Sequence, residues 1–404
     1  STPKPSSAAS DVYKRQAYLS VRKAKMTRDM PRWFWVSAVV ASALFIAACS
    51  DGPITGEPFG SDYAVPDDLS DGLGGSHPKS VGMDEAPLAA MVNEIRDGQW
   101  PNIHSVLVYR RGQLVLEEYF PGVMLSDNVY REFDRDTLHD VFSVSKSILS
   151  AAVGMAIESG AIESVDQPVM DFFPEYRHVI DGPVEDLKIR HLLSMTTGLE
   201  WDESSASYAD GSNSHRQMME ASDPIEFVLS RRSMHTPGEV FTYSTGVSSL
   251  LGEIVARATG ESYADYMARS LFNPLGIERS NWLPFYQGNL ESAGGGLQLR
   301  PRDMTKFGVL YLNRGLWQER TIVPEDWVDE STKTQAPGGF YGYQWWLAVT
   351  DTEITNLNFF RAAGLGGQHI FVYPELQLVA VFTGNQSGTG PHELWLDYII
   401  ASTS

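Results

Sequence analysis

The sequence predicts an α+β fold in which both ends of the globular part contribute strands to one antiparallel sheet flanked by helices. Strand-like alternation occurs in residues 105–119 and returns in the last hundred residues of the 404-residue chain. Between these regions, residues from about 161 to 290 show mainly helical periodicity and loops. This order predicts that a mainly helical region is inserted into the sheet and that an active site lies between the two parts.

The elements follow in order from about residue 83. Apolar residues at helical spacing predict a helix over Ala86–Asp97, and a hairpin follows with strands at Ser105–Tyr109 and Gln113–Tyr119. Residues 246–276 read as two helices with a break at Gly260. Three further strands are predicted in "YGYQWWLAV", "QHIFVYPE" and "LQLVAVFTGN", before a closing helix over Pro391–Ile400.

The segment before the globular part has the pattern of an export signal. Residues 26–48 combine Arg28 and Arg32 with an apolar run from Trp33 to Ala48, directly before Cys49, the single cysteine. The ending "IAAC" resembles the lipobox of bacterial lipoproteins, which implies that Cys49 is acylated and holds an exported protein on a periplasm-facing membrane surface. A membrane-spanning anchor and a soluble secreted form stay open, although 16 residues are fewer than the roughly 20 that span a bilayer.

Composition divides the remaining N-terminal residues. Residues 1–25 lack a methionine and any periodic pattern, so we interpret them as a non-native or mistranslated leader. Residues 49–82 are rich in Gly, Asp, Ser and Pro, which predicts a flexible tether. Residues 1–49 carry eight Lys or Arg and two Asp, a net charge of +6, and the total is −20, so the rest of the chain carries −26. A body this acidic disfavours nucleic acid as a partner, and it also favours solubility.

A Ser-x-x-Lys pattern opens the apolar helix predicted after residue 143. Residues i and i+3 share one face of a helix, so Lys146 can reach the hydroxyl of Ser143. A serine hydroxyl becomes a useful nucleophile only when a neighbour takes its proton, and burial could lower the pKa of Lys146 enough for it to do so. The pattern alone is weak, because Ser76 and Lys79 repeat it in the predicted tether.

A second motif supports the interpretation of Ser143 and Lys146 as catalytic residues. Tyr243 and Thr245 follow a Pro-Gly turn and precede an apolar helix in "HTPGEVFTYSTGVSSLLG", about 100 residues after Ser143. Together with "LKIRHLLSMTTGLEWDE", "GGGLQLRPRDMTKFGVLYLNRG" and "GLGGQHIFVYPELQLVAVFTGN", these residues resemble the serine β-lactamase and penicillin-binding family. The resemblance is greatest to class C β-lactamases, family VIII carboxylesterases and 6-aminohexanoate-dimer hydrolases. It covers residues 85–400 and implies a β-lactamase/transpeptidase-like fold.

The resemblance also implies roles for three residues. Ser143 matches the nucleophile that is acylated, Lys146 matches its lysine partner, and Tyr243 matches the tyrosine that acts with the lysine as general base and acid. A phenol titrates near 10, so Tyr243 needs a cationic neighbour to act as a base, and Lys146 is the candidate.

Two departures from the family pattern concern substrate recognition. Thr245 stands where the family often has an asparagine, and "FRAAGLGGQ" stands where it usually has Lys-Thr-Gly or His-Thr-Gly. In that segment Ala363 or Gly364 could present the second oxyanion N–H, and Arg361 could lie near the position of the missing lysine. The departures favour an esterase or amidase over a β-lactamase or D-alanyl-D-alanine carboxypeptidase. A non-catalytic cell-wall-binding module is the third alternative.

Other candidates have weaker support. Tyr208 and Asp210 lie in a polar loop that either reaches the site or is only solvated. Trp345 and Trp346, on a predicted strand, are either core residues or a substrate platform. The histidines form no metal-binding motif and a Gly-x-Ser-x-Gly elbow does not occur, so neither a metal nor another cofactor is expected.

Overall fold

A six-stranded antiparallel sheet organises the computed structural model, which describes residues 64–180, 185–283, 291–348 and 358–403. Across the sheet the strands are β10 (Trp346–Leu347), β11 (Phe360–Gly364), β12 (Gln368–Tyr373), β13 (Leu378–Gly384), β1 (Ile103–Arg110) and β2 (Gln113–Tyr119). The pairing of β13 with β1 joins the two ends of the globular part, with Val106 opposite Phe382. The predicted α+β class and the sheet built from both ends are therefore confirmed.

Shorter strands form three small sheets. They are β3 (Gly122–Val123) with β4 (Tyr130–Arg131), β5 (His139–Asp140) with β7 (Leu297–Leu299) and β6 (Asn281–Trp282), and β8 (Leu316–Trp317) with β9 (Arg320–Thr321). Because β5 lies directly before the Ser-x-x-Lys helix, its pairing with β7 fixes where that helix begins.

The helices between β5 and β7 make up the inserted, mainly helical region. In chain order the α-helices of the described residues are α1 (Glu85–Arg96), α2 (Val144–Glu158), α3 (Ile189–Leu193), α4 (Ser214–Glu220), α5 (Pro224–Leu229), α6 (Thr245–Thr259), α7 (Tyr263–Met267), α8 (Pro301–Leu312), α9 (Glu325–Ser331) and α10 (Gly390–Leu394). Helix α7 continues as a wider turn over Ala268–Phe272, and α10 does so over Trp395–Ile400. None of the helices in the described part of the chain is both long enough and apolar enough to cross a membrane.

The central strands are covered on both faces. Every residue of β1 and β13 is buried, because α8 lies on one face of the sheet and the C-terminal helical segment on the other. Gly308 of α8 lies close to Ile370, whereas Trp395 stacks on the neighbouring Phe371 with ring centroids 4.9 Å apart. Successive strand residues point to opposite faces, so these contacts identify the two faces. Burial on both sides explains why these strands read as continuous apolar runs.

The predicted tether ends earlier than residue 82. Residues 64–82 pack on the globular part: Leu73 is fully buried, and the Ser76 N–H donates to the Leu114 carbonyl at 3.0 Å. Asp71 accepts hydrogen bonds from Arg302 of α8 at 3.0 and 3.1 Å. The prediction was wrong here because a few residues, among them the buried Leu73 and Val81 and the ion-paired Asp71, fix a segment whose composition is otherwise that of a linker. The predicted leader, signal peptide and Cys49 lie outside the described residues.

Candidate active site

A strained turn places Ser143 at the start of α2. The Val141 N–H donates to the Leu297 carbonyl at 3.0 Å, which anchors the chain to β7. Phe142 then adopts a positive φ of 46°, a region that residues with a side chain rarely occupy. The Ser145 hydroxyl donates to the Phe142 carbonyl at 2.6 Å and holds this conformation. Ser143 therefore stands as the N-cap of α2, where the helix dipole favours negative charge.

Lys146 is buried beside Ser143, and its partners within hydrogen-bond distance among the described residues are all uncharged. Its side chain nitrogen Nζ lies 3.1 Å from Ser143 Oγ, 3.0 Å from Thr245 Oγ1 and 2.6 Å from the Gly294 carbonyl. Burial lowers the pKa of Lys146 to about 8, although the negative charge of Glu203 opposes this shift. A minor fraction of Lys146, about a tenth at pH 7, is therefore neutral and able to accept the proton of Ser143.

Tyr243 completes the predicted set, but with a different protonation state from the one expected. Lys146 Nζ lies 5.1 Å from the centroid of its ring. Burial raises the pKa of Tyr243 well above 10, and the nearby Ser143 side chain offsets this only in part. The phenol therefore keeps its proton at neutral pH. This arrangement allows Lys146 to accept a proton and Tyr243 to donate one.

Glu203 is a buried residue of the site that sequence reasoning missed. Its carboxylate accepts hydrogen bonds from the Thr245 N–H and the Thr245 hydroxyl, both at 2.7 Å. It also accepts from Trp201 Nε1 at 2.7 Å and from the Tyr208 hydroxyl at 3.1 Å. Glu203 ends a stretch that also contains Glu200 and other acidic positions, and the sequence alone does not indicate which of them is buried.

Two glycines permit the close approach of backbone to these side chains. A Cβ atom on Gly294 would lie 2.8 Å from Ser248 Cβ and 3.2 Å from Thr245 Cγ2, so only glycine brings this carbonyl to Lys146. A Cβ on Gly364 would lie 2.3 Å from the Val141 carbonyl and 3.2 Å from the Ser143 nitrogen. The end of β11 is therefore packed against the start of α2.

The segment "FRAAGLGGQ", which stands where the family usually has Lys-Thr-Gly, places its side chains on alternating faces of β11. Gly364 faces Ser143, as described, whereas Ala363 pairs with His369 and directs its side chain to the other face. Arg361 shares that other face: its guanidinium lies over the Phe371 ring at 5.9 Å and 2.8 Å from His392 Nδ1. The expectation that Arg361 lies near the position of the missing lysine is wrong, because it points to the sheet face opposite Ser143.

The remaining candidates divide between the site and its surroundings. Trp346 stacks on Tyr243 with ring centroids 5.9 Å apart, whereas Trp345 is fully buried in the core. Tyr208 reaches the site through Glu203, as described. The carboxylate of Asp210 instead accepts from the backbone and hydroxyl of Ser212 at 2.8 Å on the exposed surface. Asp210 is therefore solvated and is not part of the site.

The second Ser-x-x-Lys pattern has no comparable surroundings. Ser76 lies before a short 3₁₀ helix over Pro78–Val81, and Lys79 Nζ binds the carboxylate of Glu85 at 2.6 Å on the surface. Within the described ranges, no group of three or more His, Cys, Asp or Glu residues could hold a metal ion.

Known proteins share both the sequence pattern and the architecture. A curated relative, the 6-aminohexanoate-dimer hydrolase of Paenarthrobacter ureafaciens, is 28% identical over 293 residues, which are 67% of this chain and 70% of the relative. The solved structure of a class C beta lactamase from Rhodobacter sphaeroides superposes with a TM-score of 0.60 at 19% identity, covering 80% of this chain and 100% of that one. EstCE1, a hydrolase with promiscuous acyltransferase activity, gives a TM-score of 0.63 at 18% identity, covering 79% and 97%.

These structures confirm the predicted β-lactamase/transpeptidase-like fold. The family model described as Beta-lactamase matches residues 103–403, which include the turn before Ser143, the buried Lys146 and the end of β11. The chain belongs to the Beta-lactamase family of serine hydrolases.

Proposed function

We propose that the protein is a serine hydrolase that cleaves a small ester or amide through an acyl-enzyme on Ser143. One observation carries the proposal: the buried amine of Lys146 lies 3.1 Å from Ser143 Oγ, and its other hydrogen-bond partners are a hydroxyl and a carbonyl. A lysine held in this way can give up its proton and regain it, which is what nucleophile activation requires.

The proton transfers follow from the contacts. As Ser143 Oγ attacks the substrate carbonyl carbon, its proton moves to the neutral Lys146 amine and the carbonyl oxygen becomes an oxyanion. In this step the Ser143 N–H and a backbone N–H near Gly364 donate to that oxyanion; the close packing of the end of β11 on the start of α2 supports this assignment. Collapse of the intermediate breaks the bond to the alcohol or amine, which takes a proton either directly from the Lys146 ammonium or from Tyr243, which Lys146 then reprotonates. Lys146 is neutral again in both cases. Water then attacks the acyl-enzyme and gives a proton to Lys146, and collapse of the second intermediate releases the acid and returns that proton to Ser143 Oγ.

The surroundings of Ser143 favour esters and simple amides over β-lactams. Thr245, at the position where the family often has asparagine, donates its hydroxyl proton to Glu203 and cannot also donate it to a substrate. Arg361 lies on the far face of the sheet and cannot pair with a substrate carboxylate beside Ser143. The names of the relatives, a 6-aminohexanoate-dimer hydrolase and a hydrolase with acyltransferase activity, agree with this substrate class.

Three reagents test the proposal on purified protein: a short-chain nitrophenyl ester, a chromogenic cephalosporin and a fluorophosphonate probe. We expect ester turnover and labelling in the wild type and in Ser76→Ala, the matched control in the second Ser-x-x-Lys pattern, and neither in Ser143→Ala. Equal labelling of Ser143→Ala would show that the nucleophile is another residue. Cephalosporin turnover at the rate of the ester would reassign the protein as a β-lactamase, and an unlabelled wild type would indicate a non-catalytic binding module.

We also propose that the protein is an exported lipoprotein anchored through Cys49, on the basis of the signal-like pattern before that residue. Expression of the full chain and of Cys49→Ser in a bacterial host tests this. The wild type should sediment with membranes after a high-salt wash and the variant should not. A Cys49→Ser protein that stays with the membrane would contradict lipidation at this residue.

A further inference from the structure

We propose that Glu203 is a positioning residue: through Thr245, it directs the lone pair of the neutral Lys146 amine at Ser143. The inference rests on the proposed function, because it concerns the proton transfer that begins acylation. It assigns Glu203 no contact with substrate. The chain of contacts runs from the carboxylate to the Thr245 hydroxyl and from there to the amine.

The hydrogen-bond donors around Glu203 require an ionised carboxylate. Each of its oxygens faces two donors: Oε2 accepts from Trp201 Nε1 and the Thr245 N–H, and Oε1 accepts from the hydroxyls of Thr245 and Tyr208. An ionised carboxylate satisfies four donors with acceptors alone. A protonated acid or an amide would turn a hydrogen toward one of them. The site is therefore built for a negative charge at Glu203, although its side chain is almost fully buried.

The ionised carboxylate fixes the direction of the Thr245 hydroxyl. It has a single proton, and the short contact of 2.7 Å to Glu203 takes it, because a carboxylate cannot donate. Toward Lys146, 3.0 Å away, Thr245 Oγ1 therefore presents a lone pair and can only accept.

The two hydrogens of the neutral Lys146 amine bind two of its three neighbours. The Gly294 carbonyl, at 2.6 Å, can only accept, and Thr245 is now restricted to accepting as well. The neutral amine has two hydrogens, and these two acceptors take both of them. The lone pair is left for the third neighbour, Ser143 Oγ at 3.1 Å. Without the link from Glu203, Thr245 could donate to Lys146 and draw the lone pair away from the nucleophile.

The charge of Glu203 has a second effect on the same amine. It favours the ammonium that forms when Lys146 takes the proton, and it raises the pKa of Lys146 against the lowering by burial. Other titratable groups near this pair are Tyr243, Tyr208 and His215, and burial shifts the pKa of Tyr243 and of His215 toward their neutral forms at pH 7. Among these groups Glu203 thus provides the negative charge that acts on Lys146.

The test measures kcat/KM for a nitrophenyl ester from pH 6 to pH 10 in four variants of the full chain. Thr245→Val removes the hydroxyl and should lower kcat/KM roughly 100-fold, the loss expected for a misdirected catalytic group. Thr245→Ser keeps the hydroxyl and should recover most of that loss. In Glu203→Gln the acid limb of the profile should move to lower pH and the plateau should fall about tenfold or more. Glu200→Gln, an exposed residue that pairs with Arg232, should leave the profile of the wild type unchanged.

The outcomes separate the inference from the proposed function. An active wild type whose acid limb and plateau are unchanged in Glu203→Gln overturns the inference alone, as does a Thr245→Val protein with the full rate. If Glu203→Gln does not fold by circular dichroism, the comparison of Thr245→Val with Thr245→Ser decides, since both retain Glu203. A wild type that neither hydrolyses the ester nor labels with fluorophosphonate overturns the proposed function and this inference with it.

Discussion

Lys146 and Lys306 are almost completely buried on helices of this protein, and their partners differ in charge. Lys306 of α8 lies 3.7 Å from a carboxylate oxygen of Asp71 and 3.7 Å from one of Asp303, and 3.0 Å from the Gly276 carbonyl. Lys146 of α2 has two hydroxyls and a carbonyl, and among the described residues it forms no ion pair. Its nearest negative charge, Glu203, is separated from it by the Thr245 hydroxyl.

The difference shows that burial alone does not make a lysine a base. A buried cation beside carboxylates is held in its charged form, whereas one beside neutral acceptors can lose a proton at moderate pH. The charged residues around Lys306 also hold residues 64–82 in place. Arg302, one turn earlier on α8, binds Asp71 of that segment and Glu117 of β2. We therefore assign structural ion pairing to Lys306 and proton transfer to Lys146.

Replacing each lysine by methionine should distinguish proton transfer from structural ion pairing, and the largest difference is expected in kcat/KM. Lys146→Met should lower kcat/KM for the ester by about 1,000-fold, because the general base is lost while Ser143 remains. Lys306→Met, the matched control, should keep the rate of the wild type per folded molecule. Steady-state kinetics with active-site titration by fluorophosphonate measures both. Equal losses in the two variants would show that Lys146 is also only a structural residue.

In stability the order of the two variants should be reversed, with the larger loss in Lys306→Met. Lys306→Met removes a cation from two carboxylates, one of which, on Asp303, has no exposed surface, and we expect the free energy of unfolding to fall by about 3 kcal/mol. Urea denaturation at pH 7 measures this. Double replacement of Lys306→Met with Asp303→Asn should recover part of the loss if the unpaired charge is its cause. A loss below about 1 kcal/mol would mean that Arg300, which donates to Asp303 at 2.7 and 3.1 Å, and Arg302, which binds Asp71, balance these carboxylates without Lys306.

Sequence reasoning found what depends on local periodicity. Residues three apart on a helix share a face, so Ser143 and Lys146 could be paired without a structure. The alternation and apolar runs near both ends predicted the antiparallel sheet, with the first helix at Glu85–Arg96 rather than Ala86–Asp97. These patterns are repeated over several residues, so a single exception does not hide them.

Sequence reasoning failed where the result depends on a single residue or on the strand face that a side chain occupies. A shift of one residue along a strand moves a side chain to the other face, and this is why Arg361 was misplaced although Gly364 was not. Glu203 and Asp210 are both acidic residues of one polar loop region. The buried carboxylate differs from the solvated one in its donors, which come from Trp201 two residues away and from the distant Thr245. Tertiary contacts of this kind leave no mark in a single sequence.

The smallest expected effect concerns the stability of Lys146→Met and its dependence on pH. Burial lowers the folded-state pKa of Lys146 from about 10.5 to about 8. Between these values the unfolded chain binds the proton that the folded chain has lost, so the contribution of this group to stability becomes more favourable as pH rises from 8 to 10.5. Below pH 8 the full penalty, about 3 kcal/mol, acts on the folded state.

Lys146→Met removes that penalty, while the Gly294 carbonyl and the Thr245 hydroxyl each lose a hydrogen bond that contributes about 1 kcal/mol. The variant should therefore be about 1 kcal/mol more stable than the wild type at pH 7; this gain should disappear near pH 9, and near pH 10.5 the variant should be about 2 kcal/mol less stable, since only the lost hydrogen bonds then count. Urea denaturation of both proteins at pH 7 and pH 10 measures the difference. If Lys146→Met is destabilised at pH 7 as strongly as Lys306→Met, Lys146 is held by its partners as an ordinary charged group. Its neutral surroundings would then not explain its role as a base.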